Sequence, residues 1–121
     1  MNIEQLIGEL LLRNNCVVIP KFGGFISTRK EASIDYEKGV ITAPKKAILF
    51  NKQLTNSDGL LINALASAQD ISYAAAEQEI DLQVKIWQNN LNEGERITIE
   101  KVGFLYLDAN KNLLFEQDRF F

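Results

Sequence analysis

Apolar residues spaced three and four positions apart predict three helices. The first covers residues 2–14, where the apolar positions form one stripe: Ile3, Leu6, Ile7, Leu10 and Leu11. A short helix follows the polar segment 55–59, whose side chains can accept hydrogen bonds from the free N–H groups of a helix start. A longer helix begins after Ser72, runs to about Leu91 and stops at Gly94, and it is expected to bury Ala76, Ile80, Val84, Trp87 and Leu91.

Short apolar runs bounded by turn residues predict the strands. In the first half of the chain these runs are CVVIP, FISTRK and KKAILFN, and a hairpin loop, DYEKG at residues 35–39, separates ASI from VIT. In the second half ERITIE, GFLYLD and NLLFE predict a three-stranded meander with a turn at residues 108–112. Helices and hairpins in this order predict a protein of the α+β class.

One local pattern occurs twice. The segment Ile19-Pro20-Lys21-Phe22-Gly23 has a counterpart in Ile99-Glu100-Lys101-Val102-Gly103, and both run from a strand-like stretch through Lys-apolar-Gly into further apolar residues. Glycine supplies the backbone freedom that a tight turn needs. The repeat therefore predicts that the chain builds the same small hairpin twice.

These motifs resemble the bacterial histone-like HU and integration host factor family. Residues 59–108 are similar to the opening of that family, and residues 17–54 are similar to its second part. The matching motifs are Gly94-Glu95-Arg96-Ile97-Thr98-Ile99, Val102-Gly103-Phe104-Leu105-Tyr106, Phe22-Gly23-Gly24-Phe25, Ile41-Thr42-Ala43-Pro44-Lys45-Lys46 and Leu49-Phe50-Asn51-Lys52. The resemblance implies two HU-like units, unit 1 (residues 1–58) and unit 2 (residues 59–121), packed as a pseudo-dimer within one chain.

A narrower resemblance concerns the paired HU-like domains at the N-terminus of bacterial envelope proteins that have a SPOR domain further on. It rests on the segments 16–25 and 50–61, which are similar to C-x-V-I-P-x-F-G-G-F and F-N-x-x-L-x-N-x-D-G-L-L. In that family the HU-like part lies on the cytoplasmic side of a membrane helix, and SPOR binds peptidoglycan. The resemblance implies a cytoplasmic, non-enzymatic module for interaction with an unidentified protein, and a chain that is part of a longer, membrane-anchored protein.

The charge distribution leaves DNA as the alternative partner. Residues 21–52 contain seven cations against three acids, whereas residues 53–121 contain five cations against eleven acids. If the hairpin at residues 26–46 contacts DNA as an HU arm does, the contacting residues are expected to be Arg29, Lys30, Lys38, Lys45 and Lys46. The hairpin tip has two carboxylates and no proline to act as an intercalating wedge, which favours a protein partner.

The candidate chemistry argues against an enzyme. The chain has no histidine and a single cysteine, Cys16, which is expected to be a small buried core residue. No phosphate-binding loop, metal-spaced cluster or paired-carboxylate motif is present in the sequence, so we expect no catalytic residues and no cofactor. The last two residues, Phe120 and Phe121, are expected to pack on the core or to begin a linker.

Overall fold

The structure, a computed structural model, describes residues 2–30, 33–35, 39–42 and 45–118. The expectations for Lys38, Phe120 and Phe121 lie outside the described residues. The elements in chain order are α1 (Ile3–Arg13), β1 (Cys16–Ile19), β2 (Gly23–Lys30), β3 (Ser33–Asp35), β4 (Val40–Thr42), β5 (Lys45–Asn51), α2 (Leu60–Gln69), α3 (Tyr73–Asn92), β6 (Ile97–Ile99), β7 (Gly103–Leu107) and β8 (Leu113–Gln117). The α+β class is confirmed.

The helix boundaries follow from side chains that satisfy the free backbone N–H groups. At the start of α1, the Asn2 side chain accepts a 2.7 Å hydrogen bond from the N–H of Gln5, whose own side chain bonds back in a capping box. Asp58 accepts from the N–H of Leu60 at 2.9 Å, and Ser72 accepts from Ala75 at 3.1 Å. The cap predicted at Ser72 is therefore confirmed. At α2 the cap residue is Gly59, which makes no side-chain cap bond, and the acceptor is Asp58, one residue earlier.

Each unit contributes one three-stranded antiparallel sheet. The strand order is β1-β2-β5 in unit 1 and β6-β7-β8 in unit 2, and a separate two-stranded hairpin, β3-β4, extends from unit 1. In unit 2, β7 and β8 are joined by a short turn in which Asp108 accepts hydrogen bonds from the backbone N–H groups of Asn110 and Asn112, both at 2.9 Å. Unit 1 thus has an extended hairpin where unit 2 has a short turn.

The repeated motif forms the same turn in both units. Phe22 donates its backbone N–H to the Ile19 carbonyl at 3.1 Å, and Val102 donates to the Ile99 carbonyl at 2.9 Å. The lysine inside each turn is left-handed, with φ of 64° in one copy and 67° in the other. The next glycine is opposite the first residue of the motif in both ladders. The hairpin duplication predicted from the sequence is confirmed.

A single hydrophobic core joins the two units. It contains residues of all three helices and of both three-stranded sheets, and α1 of unit 1 contacts β6 of unit 2 while α2 of unit 2 contacts β1 of unit 1. Aromatic contacts cross the same boundary: the ring centroid of Phe25 lies 5.3 Å from that of Phe115, and Phe22 lies 5.5 Å from Trp87. The two HU-like units form an intrachain pseudo-dimer, since each completes the core of the other.

One prediction about the core is wrong. Cys16, expected to be buried, is exposed. It begins β1, in which Val17 and Ile19 are fully buried, and successive side chains of a strand point to opposite faces. Cys16 therefore lies on the face of the sheet away from the core.

Candidate interaction surface

Strand alternation gives each three-stranded sheet an inner face against the helices and an outer face turned away from them. In β2, Phe25 and Ser27 are buried, whereas Ile26 between them is only half-buried. In β7, Leu105 is fully buried and its neighbours Phe104 and Tyr106 are half-buried. The side chains of Phe25 and Leu105 therefore lie on the inner faces. The residues next to them along each strand point to the outer faces, because successive side chains of a strand alternate.

Each outer face has a pair of large apolar side chains directly opposite each other. In unit 1 the pair is Ile26 and Leu49, and in unit 2 it is Tyr106 and Leu114. Leu49 is 61% exposed and Leu114 is 39% exposed. Ile26 and Tyr106 each follow an equivalent core residue by one position, so the two pairs occupy the same place in the two units. We call these four residues the outer-face pairs.

Aromatic and charged residues surround the outer-face pair of unit 2. The Arg96 guanidinium lies 4.7 Å from the centroid of the Phe104 ring, and that ring lies 5.7 Å from the ring of Tyr106. Tyr106 donates its hydroxyl to Glu116 at 3.3 Å. Desolvation, followed by the negative charge of Glu116, raises the pKa of Tyr106 above its ordinary value. Tyr106 is therefore neutral and available as a hydrogen-bonding aromatic surface near pH 7.

An open depression borders this cluster. It has a volume of about 280 Å³ and is lined by Gly94, Arg96, Phe104, Tyr106 and Leu107. Gly94 follows the end of α3 with φ of 86°, a left-handed conformation that glycine adopts without strain. A depression of this kind suits an apolar or aromatic side chain presented by another molecule rather than an enclosed small ligand.

The predicted DNA-contacting residues lie in the ladder between β2 and β5. The register pairs Arg29 with Lys46 and Lys30 with Lys45 on adjacent rungs. Directly opposite residues occupy the same face of a ladder and adjacent rungs occupy opposite faces, so the four cationic positions are divided between two faces. The register thus places four of the five predicted positions on two adjacent rungs of the ladder, one pair on each face.

A second exposed apolar pair lies on α3. Leu82 is 61% exposed and Ile86 is 53% exposed, and their spacing of four places them on one side of the helix. Ala76, Ile80, Val84, Trp87 and Leu91 are buried on the opposite side, as the sequence predicts. In the part of the chain that the structure describes, the α3 pair has no counterpart in unit 1, whereas the outer-face pairs occur at equivalent places in both units.

Sequence reasoning missed the outer-face pairs because the apolar runs that predict the strands do not indicate which side of each strand faces the core. The available signal was the repeat itself. When Phe22-Gly23-Gly24-Phe25 is aligned with Val102-Gly103-Phe104-Leu105, the next position is apolar or aromatic in both copies. It is Ile26 in the first and Tyr106 in the second. An outward-facing position that is apolar or aromatic in both copies, as at Ile26 and Tyr106, indicates a candidate interaction surface.

Among the residues that the structure describes, no group of three or more His, Cys, Asp and Glu side chains could bind a metal ion. Within the same part of the chain, no helix is both long enough and apolar enough to cross a membrane.

The fold and its surface define a tandem HU-like protein, in which two units share one core and each presents an outward apolar pair. Family models agree with this class. A model described as CCDC81-like prokaryotic HU domain 1 matches residues 1–58, and one described as CCDC81-like prokaryotic HU domain 2 matches residues 59–120. The chain therefore belongs to the CCDC81-like prokaryotic HU domain family. No curated protein and no solved structure matches it.

Proposed function

We propose that this protein is a non-enzymatic interaction and assembly module that binds another protein through the outer faces of its two sheets. The observation that supports this function best is the presence of the outer-face pairs at equivalent places in both units, with Leu49 61% exposed. Single exposed apolar residues are ordinary and cross-strand pairs stabilise a sheet, whereas contiguous exposed apolar surface marks interaction sites. Membership in an HU family is consistent with a structural or binding role.

The cellular setting in this proposal comes from the narrower resemblance. Segments 16–25 and 50–61 are similar to the HU-like N-terminal part of SPOR-domain envelope proteins. We therefore place the module on the cytoplasmic face of the inner membrane, as part of a longer membrane-anchored protein that contacts peptidoglycan through a segment outside this sequence. The two HU-like units would then provide the protein-binding surface of an envelope protein on its cytoplasmic side.

Site-specific photo-crosslinking in the native cell tests the proposed function. A photoreactive phenylalanine analogue replaces Leu49 or Leu114 on the outer faces, and Leu82 on α3 serves as the matched control because it is as exposed as Leu49, at 61%. We expect protease-sensitive, nuclease-resistant adducts from positions 49 and 114 and none from position 82. Equal yields at all three positions, or no protein adduct at positions 49 and 114, would contradict the proposal.

A second candidate function is non-specific DNA binding by the basic hairpin. The supporting observation is the register that places Arg29 opposite Lys46 and Lys30 opposite Lys45 on adjacent rungs. Four cations close together can neutralise phosphates and release counterions. Acidic residues in the same hairpin, Glu31, Asp35 and Glu37, weaken this attraction.

A further inference from the structure

The two units differ in charge although they share a fold. Unit 1 contains eight cations and six acids, for a net charge of +2, whereas unit 2 contains five cations and ten acids, for a net charge of −5. Apolar surfaces that belong to units of opposite net charge attract each other. We propose, resting on the proposed function, that a second copy of this chain covers the outer faces, with unit 1 of each copy against unit 2 of the other.

The ladder positions place opposite charges beside the two outer-face pairs. In unit 1, the ladder pairs Ile26 with Leu49 and, four residues further along β2, Lys30 with Lys45. Positions an even number of residues apart in a strand share a face, so both pairs are on the outer face. This places two cationic positions on the same face as the apolar pair of unit 1.

In unit 2, acidic residues lie beside the outer-face pair. Glu116 is opposite Phe104 and lies two residues along the strand from Leu114, so it belongs to the same face, and Asp108 begins the turn two residues after Tyr106. Three hydrogen bonds from Asn110 and Asn112 to the Asp108 carboxylate lower its pKa, so its charge persists at every physiological pH. The face also has a cation, Arg96, which lies over the Phe104 ring.

A two-fold axis makes this contact twice. Strand β5 of unit 1 lies beside strand β8 of unit 2, so the two outer faces are neighbours in the chain. A two-fold axis that sets unit 1 on unit 2 of the partner then also sets unit 2 on unit 1 of the partner, and the interface closes as an isologous dimer. The alternative, unit 1 against unit 1, brings together two units of net charge +2 and is disfavoured by like-charge repulsion. The charge difference therefore selects the head-to-tail arrangement.

The size of the faces sets the expected affinity. A three-stranded sheet with strands about 4.8 Å apart and about five residues long, at about 3.3 Å per residue, covers roughly 250 Å². Two such faces on each of two copies give roughly 1,000 Å² in total, below the roughly 1,600 Å² of a standard stable interface. We therefore expect a reversible dimer in the micromolar range that weakens as salt increases.

The reactivity of Cys16 can be used to test whether the outer face of unit 1 is covered. It is exposed, it is the only cysteine, and its Cα partner in the ladder is Ile26 of the unit 1 pair. In the head-to-tail dimer, Cys16 is covered by unit 2 of the partner and lies far from the same cysteine of the other copy. A thiol reagent should therefore alkylate Cys16 more slowly as the protein concentration increases, and a short bismaleimide should not link two chains.

Analytical ultracentrifugation of the whole chain tests the proposal at protein concentrations from about 10 to about 500 μM. We expect a monomer–dimer equilibrium. Leu49→Glu should raise the dissociation constant at least about tenfold, because it places a carboxylate where an apolar side chain is buried. Leu82→Glu, an equally exposed leucine on α3, should change the constant less than about twofold, a surface-level effect.

A second substitution distinguishes the head-to-tail dimer from one in which unit 1 lies on unit 1. In the head-to-tail dimer residue 49 lies over the outer-face pair of unit 2, so Leu114→Lys added to Leu49→Glu should restore most of the lost affinity. If unit 1 lies on unit 1, the two carboxylates introduced by Leu49→Glu meet, the second substitution does not rescue, and the bismaleimide links the two Cys16 residues. Circular dichroism of each variant confirms that it is folded.

The outcomes also separate this inference from the proposed function. A chain that stays monomeric at every concentration, or one in which Leu82→Glu is as harmful as Leu49→Glu, overturns the dimer. If photo-crosslinking at Leu49 and Leu114 then gives adducts with a different protein, the proposed function stands with another partner. If neither the dimer nor any protein adduct forms, both proposals fail.

Discussion

The backbone N–H of Ile48 donates a 2.9 Å hydrogen bond to Oε1 of Gln117, and this bond joins strand β5 of unit 1 to strand β8 of unit 2. Removing the acceptor leaves a half-buried N–H without its partner. We expect Gln117→Ala to lower the free energy of unfolding by about 1 kcal/mol, measured by urea denaturation. Gln117→Glu keeps an acceptor oxygen and should lose less. Equal stability of the wild type and Gln117→Ala would show that the bond contributes nothing.

Gly103 is the position at which an added side chain should be most harmful. Its φ is 151°, and a Cβ there would overlap the Glu116 carbonyl oxygen and approach Phe115 Cζ to 2.8 Å. We expect Gly103→Ala to cost about 3 kcal/mol, since it combines overpacking with backbone strain. Gly94→Ala is the matched control: its φ is also positive, at 86°, but nothing lies within 4 Å of the added Cβ. It should cost about 1 kcal/mol. Similar losses in the two variants would refute the steric explanation.

Asp108 should make stability depend on pH in the acid range. Hydrogen bonds from Asn112, the largest cause, lower the pKa of Asp108 below 3.8 in the folded protein. Its contribution is fully present above the unfolded pKa and is lost as pH falls through the lower folded pKa. Asp108→Asn should therefore be less stable than the wild type at pH 7, and the difference should shrink below about pH 3.8. Thermal denaturation of both proteins across this range measures it. A difference that is constant from pH 7 downward would exclude this linkage.

The shared core predicts that both units unfold together. Trp87, the only tryptophan, belongs to unit 2 but lies 5.5 Å from Phe22 of unit 1. Trp fluorescence and far-ultraviolet circular dichroism should therefore give coincident urea transitions. Each half expressed alone should lack tertiary structure, because it lacks the residues that complete its core. Two separate transitions, or a folded isolated half, would show that the units are independent domains.

DNA binding is tested by fluorescence anisotropy with a duplex of about 30 base pairs at about 50 and about 200 mM salt. The proposed function predicts no saturable binding at the lower salt concentration. If the basic hairpin binds DNA, affinity should fall steeply between the two salt concentrations, and Lys45→Glu combined with Lys46→Glu should abolish it. Lys85→Glu combined with Arg13→Glu, which changes two exposed cations on α3 and α1, is the control for the same change in net charge.

Most of the fold was predictable because its signals are local. The stripe from Ile3 to Leu11 and the cap at Ser72 specify helices within one or two turns of chain. The repeated Lys-apolar-Gly turn specifies the hairpins in the same way. These features need no knowledge of which elements become neighbours.

The interaction surface was not predictable in the same way, because a strand's two faces differ by a shift of one residue. The sequence CVVI is apolar at every position, so periodicity alone does not distinguish exposed Cys16 from buried Val17. Only the packing of Phe25 and Leu105 against the helices decides which side of each sheet faces outward. The exposure of Leu49 depends on that tertiary choice.

The difference between the long β3-β4 hairpin of unit 1 and the short turn after β7 has an evolutionary consequence. In a homodimer, one gene encodes both halves, and every substitution therefore appears twice. In this tandem chain each half has its own coding sequence, so one hairpin can lengthen while the other remains short, and the two units can acquire opposite net charges. A tandem arrangement thus allows the two sides of one scaffold to specialise separately.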